Sequence, residues 1–186
     1  MNLQRPHRIA LCTVGDIDSL LIEAVSEEVE NVFGISADPL SLLDSLAFAY
    51  DPKRDQYHST VILEKLSASV PDTFLKVLAI VQVDLFIPIL TYVYGEALLG
   101  GKSCIVSTCR LKAGPYFAEN PQVFQDRVVK EAIHELGHTF DLRHCRDQSC
   151  IMHYCRTLED VDAKSEHLCR YCSVMLSDAL KKQQPR

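Results

Sequence analysis

Residues 134–144 read His-Glu-Leu-Gly-His-Thr-Phe-Asp-Leu-Arg-His, and no other stretch restricts the fold so tightly. Two histidines four apart stand one turn above each other on the same helix face, so His134 and His138 can aim both imidazoles at one cation. Neutral imidazole is a good zinc ligand. Glu135, about 100° around the helix from His134, is placed to reach a metal-activated water rather than the metal. Zinc lowers the pKa of such a water toward about 7, and a neighbouring carboxylate can then take its proton. A catalytic site needs a third protein ligand and an open fourth position. His144 can be that ligand if the chain turns sharply near Asp141. Glycine is the usual residue for a left-handed turn of this kind, and aspartate is a tolerable substitute. A surface helix with two solvated histidines would not account for His144, and a purely structural metal site would leave Glu135 without a task.

Eight cysteines raise the choice between disulfides and metal. The N-terminal sequence MNLQRPHRIALCTVGDIDSL has only a short apolar run, ending at Gly15-Asp16, and lacks the core and cleavage site of a secretory leader. That favours metal ligation for clustered cysteines. Cys12, Cys104 and Cys109 sit in strand-like runs and read as core residues. Cys145, Cys150, Cys169 and Cys172 form two short chelating pairs, the arrangement of a tetrahedral four-thiolate zinc site. Such a site is closed and structural. It would order segment 145–168, which has little apolar content to fold by itself. Cys155, His153 and His167 are rival ligands in the same segment.

Around these motifs the chain alternates strand and helix signals. Residues 8–14 read as a buried strand and 19–33 as a helix, capped by Asp18 or Ser19 and ended by Gly34. Residues 35–41 read as a second strand, Tyr50-Asp51-Pro52 as a turn and 56–69 as a helix. Residues 74–84 are almost continuously apolar, the mark of a central strand. Two more strands are expected at 91–98 and 103–108, with Gly100-Gly101 turning between them. Asn120 as N-cap and Pro121 at the first helical position start a helix that runs to about Phe140. Residues 141–168 read as irregular, 170–182 as a last helix, and the terminal KKQQPR as frayed.

The sequence HELGHTFDLRHC, followed by RDQSC, IM and, after a gap, CRYC, resembles the archaemetzincins, a zinc-peptidase family of the metzincin clan. The family pattern is an extended HExxHxxGxxH motif, then Cys-x4-Cys-x-Met and a later Cys-x-x-Cys. The resemblance implies that His134, His138 and His144 hold a catalytic zinc and that Glu135 is general base and acid. It implies that Cys145, Cys150, Cys169 and Cys172 hold a second zinc, and that Met152 is the methionine of the Met-turn beneath the metal. From the residues alone, Met152 would be a core methionine. Segment 151–154 is similar to the Met-turn of astacin-like metzincins, which makes Tyr154 a candidate transition-state stabiliser; the other reading is an ordinary packed tyrosine. Residues 93–97 are either a sheet edge that pairs with an extended peptide or an interior strand. Asp141 replaces the pattern's glycine, and the gap from Met152 to Cys169 is about one residue shorter.

The expected fold is therefore α/β, metzincin-like: a twisted mixed sheet with a backing helix and an active-site helix on one side, plus a small C-terminal lobe with a structural zinc site. One domain spans 1–186, its upper lobe about 1–141 and its C-terminal lobe about 142–186. The expected function is zinc-dependent hydrolysis of peptide bonds, with two zinc ions per chain. The alternative is a zinc-stabilised module that binds peptides or partners without turnover. A net charge of −6 with dispersed basic residues gives no footprint for nucleic acid. No stretch approaches the roughly 20 apolar residues of a membrane span. The expected partner is a peptide or protein substrate, without nucleic acid or membrane, and the expected location is cytoplasmic.

Overall fold

In the computed structural model, which describes residues 8–113 and 120–183, the apolar run RIALCTV forms β1 (Arg8–Val14). The segment 1–7 and part of the tail expected to fray, 184–186, lie outside the described residues. Along β1 the side chains alternate between two cores. Ile9 and Leu11 enter one, Ala10 and Cys12 the other, as the two-residue period of a strand requires. Strand β5 (Lys76–Val81) is buried at every position, because helices cover both faces of the sheet.

The main sheet has the order β2-β1-β5-β8-β7. β2 (Ser36–Pro39), β1, β5 and β8 (Ser103–Ser107) run parallel, and β7 (Gly95–Ala97) closes one edge antiparallel to β8. Helices α1 (Ser19–Phe33) and α3 (Pro121–Thr139) pack on one face through Val25, Val29, Val128 and Ile133. Helix α2 (Ser59–Ser69) covers the other through Ile62, Leu63 and Leu66. The caps are those expected. Asp18 accepts from the Leu20 amide, Gly34 ends α1 at φ 65°, and Asn120 accepts from the Gln122 amide.

Several elements differ from the sequence reading, among them β3 (Tyr50–Asp51), where a turn was expected, and β6 (Leu85–Phe86), which was not expected. Residues 56–58 are a strand, β4 (Gln56–His58), not the start of α2. It pairs antiparallel with β3 (Tyr50–Asp51) through a turn that carries Asp55 at φ 52°, and parallel with β6 (Leu85–Phe86). The strand expected over 91–98 shortens to Gly95–Ala97, with Val93 bridging Leu85 separately. The irregular segment 141–168 contains a short helix, α4 (Leu158–Ala163), started by a capping box between Thr157 and Asp160. The last helix is α5 (Arg170–Gln183). Among the described residues no helix is long and apolar enough to cross a membrane.

Candidate metal centre

Helix α3 ends in a motif that turns the chain back on itself. Asp141 takes φ 67°. The Asp141 amide donates to His138 O and the Leu142 amide to Gly137 O, at 3.0 and 3.2 Å. These two bonds are the Schellman pattern, normally built on glycine. The other terminal carbonyls are also met. Gly100 N donates to His138 O at 2.9 Å, and the buried Lys76 ammonium donates to Thr139 O at 2.6 Å. Burial lowers the Lys76 pKa to about 8.

This turn carries His144 back to the helix. One ligand atom from each of His134, His138 and His144 falls within 4.8 Å of the others. The Nε2 atoms of His134 and His138 face each other at 3.1 Å, near the separation that two metal–nitrogen bonds of about 2.0–2.1 Å produce in a tetrahedron. Their other nitrogens are fixed by backbone. His134 Nδ1 donates to Ile151 O at 2.8 Å and His138 Nδ1 to Leu142 O at 2.6 Å. A carbonyl only accepts, so each Nδ1 carries the proton and each Nε2 keeps its lone pair for a metal. Burial holds the pKa of all three imidazoles below the ordinary value, that of His144 at about 4. They are neutral, and therefore competent ligands, at pH 7.

Glu135 lies on the same helix under strand β7. A Cβ placed on Gly95 would lie 2.6 Å from Glu135 Cγ, so the strand approaches the carboxylate this closely only because residue 95 has no side chain. Burial pushes the Glu135 carboxyl well above the usual carboxylate range. Glu131 and Glu96 add to this, and Lys164 opposes it. The cleft between β7 and α3 encloses about 570 Å³ and is lined by the three histidines, Glu135 and Tyr154. Tyr154 is 42% exposed, its ring 4.9 Å from that of His144.

Met152 is fully buried. Its Sδ would lie 2.7 Å from a Cβ on Gly137, so the glycine inside the histidine motif makes room for the methionine.

The second group is as well defined. The sulfurs of Cys145, Cys150, Cys169 and Cys172 all lie within 4.8 Å of one another. Cys145 and Cys169 are 3.7 Å apart, where bonds of about 2.3 Å to a tetrahedral zinc would put them. A backbone amide, that of Cys172, with the neighbouring sulfurs adding, lowers the Cys169 pKa. The rival ligands lie elsewhere. His153 Nδ1 bonds to Cys145 O, Cys155 Sγ contacts His153 O, and the His167 side chain is 75% exposed. No cysteine is in a disulfide.

Sequence reasoning missed the buried Lys164–Glu131 ion pair at 2.7 Å and the close approach of Gly95 to Glu135. A glycine inside the strand-like VYGEA was a signal for the second; nothing in the sequence pointed to the first.

A helix bearing two imidazoles and a buried carboxylate, set under an edge strand and completed by a third imidazole from the turn beyond it, defines a hydrolase of the zinc metallopeptidase class. The model of peptidase family M54 matches residues 39–178. An archaemetzincin from Methanocaldococcus jannaschii is 36% identical over 172 residues, covering 92% of this chain and 93% of that one. The solved structure of an archaemetzincin from Methanopyrus kandleri superposes with TM-score 0.83 at 34% identity, covering 96% of this chain and 99% of its own. A zinc-dependent peptidase from Methanocorpusculum labreanum gives 0.77 at 29% identity, with 90% and 99% covered. The chain belongs to peptidase family M54, the family of the archaemetzincins.

Proposed function

We propose that the protein hydrolyses peptide bonds at a zinc ion held by His134, His138 and His144, with Glu135 as general base, and that Cys145, Cys150, Cys169 and Cys172 hold a second, structural zinc. The observation that carries the reading is the convergence of two tautomer-fixed Nε2 atoms and a third imidazole beside a buried carboxylate. A zinc ion there supplies Lewis-acid polarisation of a carbonyl and acidifies a water. The remaining work belongs to the chain. Glu135 takes the proton from the attacking water and hands it to the departing amine. Among the described residues strand β7 is the last of the sheet, and an extended substrate can add to it as a further strand. Tyr154, beside His144 at the cleft wall, is the candidate donor to the developing oxyanion. Met152 supports the helix from below.

The domain divides near residue 141 into an upper lobe, which supplies β7 and α3 to the cleft, and a C-terminal lobe, which adds His144 and residues 154–156 to its lining. The four-thiolate group ties Cys145 and Cys150 to the start of α5, so it holds together the lobe that carries His144. Cysteines free for ligation fit a reducing, cytoplasmic setting. The test is a peptide-library digest read by mass spectrometry, comparing the zinc-loaded wild type with Glu135→Ala. Cleavage products from the wild type alone support the reading; equal cleavage by both removes Glu135 from the reaction.

A further inference from the structure

Glu131 stands one turn before His134 on helix α3 and is 4% exposed. One of its oxygens, Oε1, accepts from the Lys164 ammonium at 2.7 Å. Among the described residues no hydrogen bond reaches the other oxygen, and Glu131 is one of the residues that line the cleft. Lys164 does not line it. Its side chain is wholly buried behind the carboxylate. Burial works to lower the Lys164 pKa, but Glu131, with Cys155 and Glu135 adding, outweighs it and the pKa is raised. The ammonium thus offsets the cost of burying a carboxylate here, while the cleft meets only the carboxylate.

The walls near this floor are aromatic. Tyr92 and Tyr94 meet edge to face with ring centroids 5.5 Å apart, and both line the cleft. Tyr92 is held on one face by Arg110, 4.1 Å from its centroid, and its hydroxyl donates to Arg156 O across the cleft at 3.3 Å. The recess therefore has aromatic walls and a carboxylate floor at Glu131, with the unpartnered Oε2 of Glu96 as a further acceptor in the same cleft. A side chain with an apolar stem and a cationic tip matches both parts, because its stem lies on the rings and its tip donates to the carboxylate. An aliphatic side chain would fill the walls but cut the second Glu131 oxygen off from water without giving it a donor, which is costly. An acidic one would face a like charge.

We infer that Glu131 is a specificity-determining residue, and that this recess takes a lysine or arginine side chain adjacent to the scissile bond. The inference deepens the proposed peptidase reading and rests on it for the word scissile. Lys164 is a positioning residue that fixes the Glu131 rotamer.

The test uses the zinc-loaded full chain on a proteome-derived peptide library. The wild type is expected to enrich lysine and arginine about ten-fold at one of the two positions flanking the cut. Glu131→Gln keeps the shape and should lose that enrichment. The double variant Glu131→Leu, Lys164→Met removes both charges together, and its preference should move to leucine and methionine. Wild-type cuts without basic enrichment, or the same enrichment in Glu131→Gln, overturn the inference. A second measurement separates this from failure of the peptidase reading. Fluorescent peptides that differ only in one lysine or norleucine are titrated into zinc-loaded Glu135→Ala, with and without Glu131→Gln. If the wild type cuts nothing while lysine-dependent binding is lost with Glu131→Gln, the recess stands and the peptidase reading falls. If nothing is cut and lysine and norleucine peptides bind alike, the recess falls too.

Discussion

Gly95 and Glu135 occupy adjoining space so completely that a methyl group at position 95 would lie 2.6 Å from Glu135 Cγ and 2.7 Å from the Ile105 carbonyl oxygen. The edge strand and the helix thus meet through the one residue type that lets them. Gly95→Ala is expected to destabilise the fold by about 1–3 kcal/mol, as overpacking does, and to lower peptide hydrolysis by displacing the carboxylate. Thermal unfolding and steady-state kinetics check the two effects. A variant with wild-type melting temperature and rate would show that the strand can move away freely.

Glu135→Ala would remove the proposed base without touching a proposed ligand. It should retain zinc and fold and lose about 10²–10⁴ in rate, the usual contribution of a positioned acid–base group. Metal analysis and peptide cleavage on the same preparation decide it.

The two metal groups should differ in lability. The imidazole group lines the cleft and, as proposed, would leave a ligand position open, whereas four thiolates around one ion would leave none, although Cys145, Cys169 and Cys172 also line a pocket. A mild chelator is expected to strip one equivalent of zinc first, abolishing activity with little change in melting temperature. Removal of the second equivalent should need local unfolding and lower the melting temperature. Cys169→Ser should reproduce only the second loss at first. One zinc per chain in reduced protein, with all four cysteines alkylatable in the fold, would contradict this.

Acid should weaken the metal-free protein through its histidines. Unfolded, an imidazole takes a proton near pH 6.5; folded, burial delays His144 to about pH 4 and lowers His134 as well. Between those values the unfolded chain binds more protons, so stability is fully present above pH 6.5 and is lost as pH falls toward 4. Melting temperatures of the chelated protein across this range should show the decline. His144→Ala should flatten it and also weaken zinc retention. An unchanged slope in that variant would assign the acid sensitivity to other groups.

Local chemistry was legible in the sequence. The ends of α1 and α3 follow from Asp18, Gly34, Asn120 and Pro121, because caps depend on residues one or two positions away. The histidine and cysteine groups were legible because chelation imposes short spacings. Strand β4 and helix α4 were not read correctly. Residues 56–58 are strand only because Asp84 and Phe86 lie alongside, and the Thr157–Asp160 capping box sits in a segment too polar to show helical periodicity. Lys164 was invisible for the same reason on a longer scale: its partner Glu131 is 33 residues away, and an isolated lysine in a polar stretch resembles any solvated one.

The imidazoles of His134 and His138 are oriented by the carbonyls of Ile151 and Leu142. A carbonyl belongs to the main chain and survives any substitution that leaves the fold intact. No single side-chain replacement at these two positions can delete the acceptor, and the residues there can drift among apolar types without releasing either imidazole. In this part of the molecule, evolutionary freedom and imidazole orientation do not compete.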